Sequence, residues 1–262
     1  MDYSILCGIR VSSVSFAESV SKICDHIEYS AVPEYVVTPN AHHIWLLQND
    51  DHFREVYDKS FLAVPDGVPL LWASKLLGTP LKGRVNGTDL FETLCKVSAE
   101  QGFKVFLLGG RPGAAEAAAD ILQKRYSGLQ VVGTYCPPYG FESNKEELNL
   151  INSKLQQAKP QLLFVGLGAP KQEKWIYDNC QELEVPMSIG IGVSFELISG
   201  MVKRAPLIMQ KLGLEWLFRL IMEPRRLWKR YLAGNLIFVW LVMKQYFLGS
   251  TKNSVEGDLA KR

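Results

Sequence analysis

The sequence predicts a Rossmann-like α/β domain, with a mainly parallel sheet and helices on both faces, over about residues 1–200. Two observations predict it. Short apolar runs alternate with segments of helical periodicity between residues 34 and 191, and three of the runs end in glycine-bearing turns. Strands joined through helices lie parallel, because each helix returns the chain to the same end of the sheet. At 262 residues the chain also has room for a helical C-terminal appendage, assigned to residues 201–249.

Runs of β-branched, aliphatic and aromatic residues mark the strands. The run Glu34-Tyr-Val-Val-Thr38 is typical, because such side chains fill both faces of a buried sheet. The first apolar segment of the chain predicts an edge strand. The predicted strands are 5–11 at the edge, 34–38, 61–64, 104–108, 129–134, 161–165 and 187–191.

Apolar residues that recur every three or four positions mark the helices. The alanine-rich segment that follows Gly113 is the clearest example. Pro224 ends a further apolar segment, because proline cannot continue a helix from within. The predicted helices are 15–29, 41–51, 68–77, 90–101, 114–126, 146–158 and one that begins near Lys171, and the apolar segment that Pro224 ends is 207–222.

The strand at 61–64 leads into Pro65-Asp-Gly67, which places one carboxylate at the carboxyl end of a strand. In an open α/β sheet this edge is where ligands bind, so Asp66 is a candidate catalytic acid or base. The other interpretation is structural: Asp66 caps the helix that begins near Val68, which is a common role for aspartate. The local pattern leaves both interpretations open.

The glycine-bearing turns indicate a phosphate-containing ligand. Glycine lets a ligand approach the backbone, and helix N-termini offer N–H groups and partial positive charge to phosphate. Three such turns at one sheet edge favour a nucleotide or diphosphate, although tight turns without a ligand are the alternative. The motif G-x-x-x-x-G-K-[ST] is absent, which argues against nucleoside triphosphate hydrolysis. The turns contain Gly109, Gly110 and Gly113, then Gly166 and Gly168, then Gly190 and Gly192.

The sequence shows no spacing typical of a metal site or of a disulfide framework. The five cysteines form no C-x-x-C pair, and the four histidines show no ligand spacing. No metal or other cofactor is therefore expected, and the charge of a leaving group would be met by cationic side chains and helix dipoles. The cationic candidates are Arg84, Lys171, Arg204, Arg219, Arg225 and Arg226.

The C-terminal segment 201–250 differs from the rest in charge. It has nine basic and two acidic side chains, whereas residues 1–200 carry a net charge of about −6. Basic residues beside Trp and Tyr predict helices lying on an anionic membrane surface, through residues 207–247. The uniformly apolar run 236–243 is too short to span a bilayer, so a core or subunit-interface helix is the alternative. Residues 250–262 are predicted to be a disordered tail.

Several ordered blocks make the sequence similar to the WecG/TagA/CpsF glycosyltransferase family. They run from about residue 5 to residue 230. Asn86 is a departure, because family members often have Ala there. The blocks are Thr38-Pro-Asn40, Val64-Pro-Asp-Gly67, Arg84-Val-Asn-Gly-Thr-Asp89, Gly166-Leu-Gly-Ala-Pro-Lys-Gln-Glu-Lys174, Gly190-Ile-Gly-Val-Ser-Phe195, Lys203-Arg-Ala-Pro206, Gly213-Leu-Glu-Trp-Leu-Phe-Arg219 and Glu223-Pro-Arg-Arg226.

The resemblance implies an inverting, metal-independent transfer of an N-acetylmannosamine-type sugar. The donor would be a UDP-sugar and the acceptor a polyprenyl-diphosphate-linked N-acetylglucosamine, in teichoic acid or similar polysaccharide synthesis at the cytoplasmic face of the bacterial membrane. It implies that Asp66 is the catalytic base. It also implies that Thr38, Asn40, Arg84 and Gln172 line the pocket, and that Arg219, Arg225 and Arg226 belong to a basic appendage that closes over it.

Two other classes of protein share parts of this pattern. A nicotinamide-dependent oxidoreductase would share the α/β body, but Gly109-Gly-Arg-Pro-Gly113 does not match G-x-G-x-x-G. A non-catalytic protein of the membrane surface that binds nucleotide-sugars would use the basic appendage. Nucleic-acid binding is not expected, since positive charge is confined to one aromatic-rich terminal segment. Homo-oligomer formation is left open.

Overall fold

The computed structural model describes residues 2–30, 32–228, 231–232 and 234–249. The strands are β1 (Tyr3–Leu6), β2 (Ile9–Ser12), β3 (Glu34–Val37), β4 (Leu62–Ala63), β5 (Lys104–Gly109), β6 (Gln130–Tyr135), β7 (Leu162–Gly166) and β8 (Met187–Gly190). The helices of the body are α1 (Phe16–Tyr29), α2 (Ala41–Leu46), α3 (Asp51–Asp58), α4 (Val68–Leu76), α5 (Gly87–Gln101), α6 (Ala114–Arg125), α7 (Lys145–Ala158), α8 (Lys171–Leu183) and α9 (Ser194–Ile198). The C-terminal helices are α10 (Leu207–Lys211), α11 (Glu215–Met222), α12 (Pro224–Trp228) and α13 (Gly234–Gly249).

The α/β prediction is confirmed. Six strands form a parallel sheet in the order β4-β3-β8-β7-β5-β6. Helices cover both faces, and the side chains of each strand alternate between two apolar cores. On β5, Val105 and Leu107 face the core beneath α1, α5 and α6, whereas Phe106 and Leu108 face the core beneath α2, α3 and α8.

The connections that follow the adjacent strands β5 and β7 run to opposite sides of the sheet. From β5 the chain crosses to β6 on one side, and from β7 it crosses to β8 on the other. Such a switch point leaves a crevice beyond the carboxyl ends of the strands, because the following helices diverge. The loops after β3, β4, β5, β7 and β8 therefore meet at one edge.

Two predicted elements were wrong in detail. The single edge strand at 5–11 is an antiparallel hairpin, β1–β2, which turns at Cys7 and Gly8 with positive φ angles of 51° and 88°. The single helix at 41–51 is two helices, α2 and α3. The side chain of Asp50 starts α3 by accepting a hydrogen bond of 2.9 Å from the Phe53 amide, so the chain breaks where a strong N-cap residue stands.

The last helix, α13, joins the appendage to the body. Its Phe238 and Val242 are buried in the core beside α2. The Gln245 side chain accepts a hydrogen bond from the Cys7 amide (2.6 Å) and donates one to the Ile5 carbonyl (2.8 Å). The alternative of a core helix is thus correct for one face of α13, and the opposite face is exposed. The division into domains at residue 200 stays a prediction.

The appendage carries most of the exposed large apolar side chains of the described residues. None of the described helices is long and apolar enough to cross a membrane. Lys229, Arg230 and the predicted tail 250–262 lie outside the described residues. The exposed apolar side chains after residue 206 include Leu207, Ile208, Leu212, Ile221, Leu236, Val239, Trp240 and Phe247.

Candidate active site

A cleft of about 750 Å³ opens at the carboxyl edge of the parallel sheet. Its floor and sides come from the loops after β3, β4, β7 and β8 and from the start of α5. The appendage supplies the remaining side through α11, Leu227, Tyr231 and Asn235. The body alone would leave this cleft open on that side.

Asp66 lies in the cleft and is held by its backbone. Its amide donates to the Pro39 carbonyl (3.0 Å), and the neighbouring Pro65 carbonyl accepts from the Val85 amide (2.8 Å). Helix α4 begins at Val68 with Gly67 as its N-cap residue and has no side-chain capping hydrogen bond. The interpretation of Asp66 as a helix cap is therefore wrong, and its carboxylate is directed to other partners.

The carboxylate of Asp66 is a stronger base than an ordinary aspartate. Its pKa is raised from 3.8 to about 7, chiefly by burial and also by the charge of Glu215. The Arg84 charge and the hydrogen bonds from the Gly87 amide and the Asn86 side chain act in the opposite direction and lower the pKa. The Asn86 hydrogen bond, from Nδ2 to Oδ1, measures 2.8 Å. The side chain is 24 % exposed, so it faces the cleft while protein shields most of it. It is poised to exchange a proton near neutral pH.

Arg84 links this carboxylate to the appendage. Its Nε donates to the backbone carbonyl of Asp66 (2.9 Å), and its Nη2 donates to Oε2 of Glu215 on α11 (2.9 Å). The same Nη2 lies 3.9 Å from the Asp66 carboxylate. A cationic side chain therefore stands beside the candidate base without neutralising it through a direct hydrogen bond.

Thr38 and Asn40 follow β3 and line the cleft. The Asn40 side chain caps α2 by accepting from the amides of His42 (3.0 Å) and His43 (3.3 Å). Thr38 is 5 % exposed, and its hydroxyl donates to the Gly190 carbonyl at 3.4 Å. Both residues thus shape the backbone at the sheet edge as well as facing the cleft.

Gln172 holds two of the glycine turns together. Its Oε1 accepts from the amides of Gly168 (3.1 Å) and Gly192 (3.0 Å), and its Nε2 donates to Glu173 (2.8 Å). These two turn amides, which the sequence suggested as phosphate donors, are therefore used within the protein. Gly168 and Gly192 still line the cleft, with positive φ angles of 77° and 59°, and open space lies where a Cβ would be.

Gly109 has a structural rather than a lining role. A Cβ there would lie 2.8 Å from the Gly166 carbonyl oxygen, so glycine allows β5 and β7 to approach at the switch point. The next residues, Gly110 and Arg111, line the cleft in its place.

The cationic side chains that the sequence suggested do not all line the cleft. Arg219 on α11 lines the cleft, whereas Arg225 on α12 is exposed and is not among the lining residues. The backbone of Arg226 lies in α12, and its side chain lies outside the described part of the structure. Lys171 pairs with Glu142 at 2.5 Å, and Arg204 pairs with Asp89 at 2.5 Å.

The structure adds three polar residues that the sequence prediction missed. Asn86 and Glu215 contact Asp66 and Arg84, and both stand within the quoted sequence blocks, which was the available signal. Glu196 is 6 % exposed and lines the cleft; its Oε1 accepts from the Arg111 amide (3.0 Å), and its Oε2 has no hydrogen-bond partner among the described residues. Glu196 directly follows the quoted block that ends at Phe195, but no pattern singled out its own side chain.

No group of three or more His, Cys, Asp or Glu side chains is placed to hold a metal ion in the part of the chain that the structure describes.

Helix α8 begins at the cleft without a side-chain cap. A helix start of this kind presents partial positive charge, which suits a diphosphate.

Fold and cleft together define an α/β protein with a ligand-sized cleft at the carboxyl edge of its sheet, bordered by a C-terminal appendage. The chain belongs to the glycosyl transferase WecG/TagA/CpsF family, which matches residues 3–252. This match confirms the family that the ordered sequence blocks indicated.

Relatives of known name agree with this assignment. A Staphylococcus aureus (strain MW2) protein is 31 % identical over 210 residues, which are 80 % of each chain. A Bacillus subtilis (strain 168) protein is 33 % identical over 187 residues, which are 71 % of this chain and 70 % of that one. Both are named N-acetylglucosaminyldiphosphoundecaprenol N-acetyl-beta-D-mannosaminyltransferase.

Proposed function

We propose that this glycosyltransferase moves an N-acetylmannosamine-type sugar from a UDP donor to a polyprenyl-diphosphate-linked N-acetylglucosamine. The observation that carries the proposal is the Asp66 carboxylate, which faces the cleft and has a pKa of about 7. The names of the relatives support the sugar and the acceptor. The β-linkage in those names fits inversion of an α-linked nucleotide sugar.

Asp66 acts as the general base. It takes the proton of the acceptor hydroxyl while that oxygen forms a bond to the anomeric carbon of the donor. The bond between the anomeric carbon and the diphosphate oxygen breaks, and UDP leaves with the electron pair. A positioned general base whose pKa lies near the working pH accelerates a reaction by about 10²–10⁴-fold. Asp66 afterwards returns the proton to solvent.

The donor would lie across the glycine turns. Open space at Gly168 and Gly192 lets a ligand approach the backbone, and the uncapped start of α8 favours diphosphate charge. Arg219 lines the same cleft and adds positive charge from the appendage. The unused carboxylate oxygen of Glu196 suits a hydroxyl or N–H donor of the nucleoside. Metal independence is part of the proposal.

The appendage would bind the membrane surface at the cytoplasmic face, as a peripheral contact. Exposed apolar side chains on α10, α11 and α13 and the basic composition of residues 201–250 support this position. A lipid-linked acceptor is held at that surface, so its diphosphate and first sugar would reach the cleft beside the appendage.

One assay tests the proposed reaction. UDP-sugars that differ at C2 and C6 are each offered with a lipid-diphosphate N-acetylglucosamine, with and without EDTA, and the new linkage is determined by NMR. We expect β-linked transfer from UDP-N-acetylmannosamine with unchanged rate in EDTA. An α-linkage in the product would contradict inversion. Loss of activity in EDTA would contradict metal independence. Inactivity with every UDP-sugar would contradict the proposed class of donor.

The oxidoreductase alternative loses its basis with the family assignment. The non-catalytic alternative makes a separate prediction, which is binding of UDP-sugar without transfer to any acceptor. Calorimetric titration with each UDP-sugar, run beside the same assay, distinguishes it from the proposal: saturable binding without any transfer would favour the non-catalytic alternative.

A further inference from the structure

The geometry points to Glu215 as a positioning residue for the reaction: its carboxylate holds the Arg84 guanidinium away from Asp66, so that Asp66 stays available as a base. This inference rests on the proposed role of Asp66. It assigns a function in the chemistry to a residue of the appendage that need not touch either substrate.

Arg84 is held by all three of its side-chain nitrogens. Nε donates to the Asp66 carbonyl (2.9 Å), Nη1 to the Gln210 carbonyl (3.2 Å) and Nη2 to the Glu215 carboxylate (2.9 Å). Two of these three acceptors belong to the appendage. The separation of 3.9 Å between Nη2 and the Asp66 carboxylate is a result of this arrangement.

Without Glu215, Arg84 would have one dominant anionic neighbour, Asp66. Charge-assisted hydrogen bonds between guanidinium and carboxylate are about 2.7–2.9 Å long, and the two side chains need approach by only about 1 Å to form one. A carboxylate in such a pair is a weaker base, because an opposite charge at that distance favours its ionised form. Glu215 competes for the same nitrogen and prevents the pair.

The charge of Glu215 acts in the same direction as its hydrogen bond. It raises the pKa of Asp66, whereas the Arg84 charge lowers it. Other charged or titratable groups nearby include Arg204, whose Nε lies 3.8 Å from Glu215, and Tyr57 on α3, whose pKa is raised chiefly by burial and further by the charges of Glu173 and Asp66. Arg204 is itself paired with Asp89, and the Tyr57 hydroxyl lies 2.7 Å from His43 Nδ1.

The consequence is that the base depends on the appendage. Gln210 and Glu215 reach Arg84 only when α10 and α11 lie against the body, as they do here. An appendage moved away would leave Arg84 beside Asp66 and weaken the base. The appendage therefore sets the chemistry of the site as well as bordering the cleft.

Titration of Asp66 tests this inference without any activity measurement. The protein is labelled with ¹³C-aspartate, the Asp66 carboxyl resonance is assigned with Asp66→Asn, and its midpoint is measured by NMR. We expect Glu215→Gln to lower the midpoint by about one pH unit. Glu223→Gln, at the other end of α11, is the matched control and should leave it unchanged.

A double-variant cycle then separates the two routes of action. Glu215→Gln should shift the midpoint less in an Arg84→Gln background, since the effect passes through Arg84. Equal shifts in both backgrounds, or no shift in either, would overturn the inference. Glu215→Asn is a second neutral variant should Glu215→Gln fold poorly. A failure of sugar transfer with a normal titration would instead contradict the proposed function.

Discussion

The Asn86 side chain donates a hydrogen bond of 2.8 Å to the carboxylate of Asp66 while its oxygen caps α5 through the amides of Thr88 and Asp89. One side chain thus ties the candidate base to the start of a long helix. An alanine at this position would offer no such donor.

Replacement of Asn86 by Ala should raise the pH at which the enzyme is half-active. The hydrogen bond from Asn86 favours the ionised carboxylate, so its loss raises the pKa of Asp66. The lost cap should also lower the free energy of unfolding by about 1 kcal/mol. Asn144→Ala is a matched control, because Asn144 caps α7 in the same way, through Glu146 and Glu147. The control should lose stability with an unchanged pH profile, and an unshifted profile for Asn86→Ala would contradict the role given to Asn86.

The wild-type rate should depend on pH through Asp66. Its pKa of about 7 lies above the usual value of 3.8, and only the ionised form accepts a proton. We therefore expect kcat/KM to fall tenfold per pH unit below about pH 7 and to level off above it. Steady-state kinetics between pH 5 and pH 9 measure this, and a rate that is flat down to pH 5 would argue against Asp66 as the titrating group.

Gln172→Ala should weaken donor binding more than it affects the chemical step. The variant loses the acceptor that joins the Gly168 and Gly192 turns, so the donor site becomes less ordered. Loss of two or three hydrogen bonds of roughly 1 kcal/mol each predicts at least a tenfold rise in donor Kd. Calorimetry with UDP-sugar checks this. Gln123→Ala, on α6, is the control and should bind donor normally.

Leu236→Ser with Trp240→Ser should reduce binding to anionic vesicles. The two side chains are 72 % and 59 % exposed and lie four residues apart on the outer face of α13. Burial of each would contribute roughly 1.5–3 kcal/mol, so the pair predicts a loss of more than tenfold in vesicle affinity. Tyr29→Ser, which alters an exposed ring on α1, is the control. Equal binding by both variants would contradict a membrane contact at α13.

The sequence was sufficient for the fold because the signals were local. Strand–helix alternation and the glycine turns predicted the parallel sheet and its ligand-binding edge, and strong breaks such as Gly113 and Pro224 set several boundaries. The hairpin β1–β2 was missed because Cys7 with a positive φ is an unusual turn residue. The break between α2 and α3 was missed because the apolar residues of 41–51 keep a helical spacing up to Asp50, the N-cap residue of α3.

The site was only partly predictable, because its contacts join distant parts of the chain. Asp66 was a candidate because it follows a strand at the ligand-binding edge, and Arg84 because of its charge; the structure brings the two together. The link from Arg84 to Glu215 spans 131 residues, and the use of turn amides by Gln172 depends on side-chain direction. Burial of Glu196 likewise follows from tertiary packing, so no local pattern could have shown it.

The central claim is that Asp66 takes the proton from the acceptor. Its most direct test is transfer by Asp66→Asn in a single-turnover assay, with UDP-sugar binding measured on the same sample by calorimetry. We expect a loss of transfer of about 10²–10⁴-fold, with donor affinity within a few-fold of wild type. Transfer at close to the wild-type rate would contradict it.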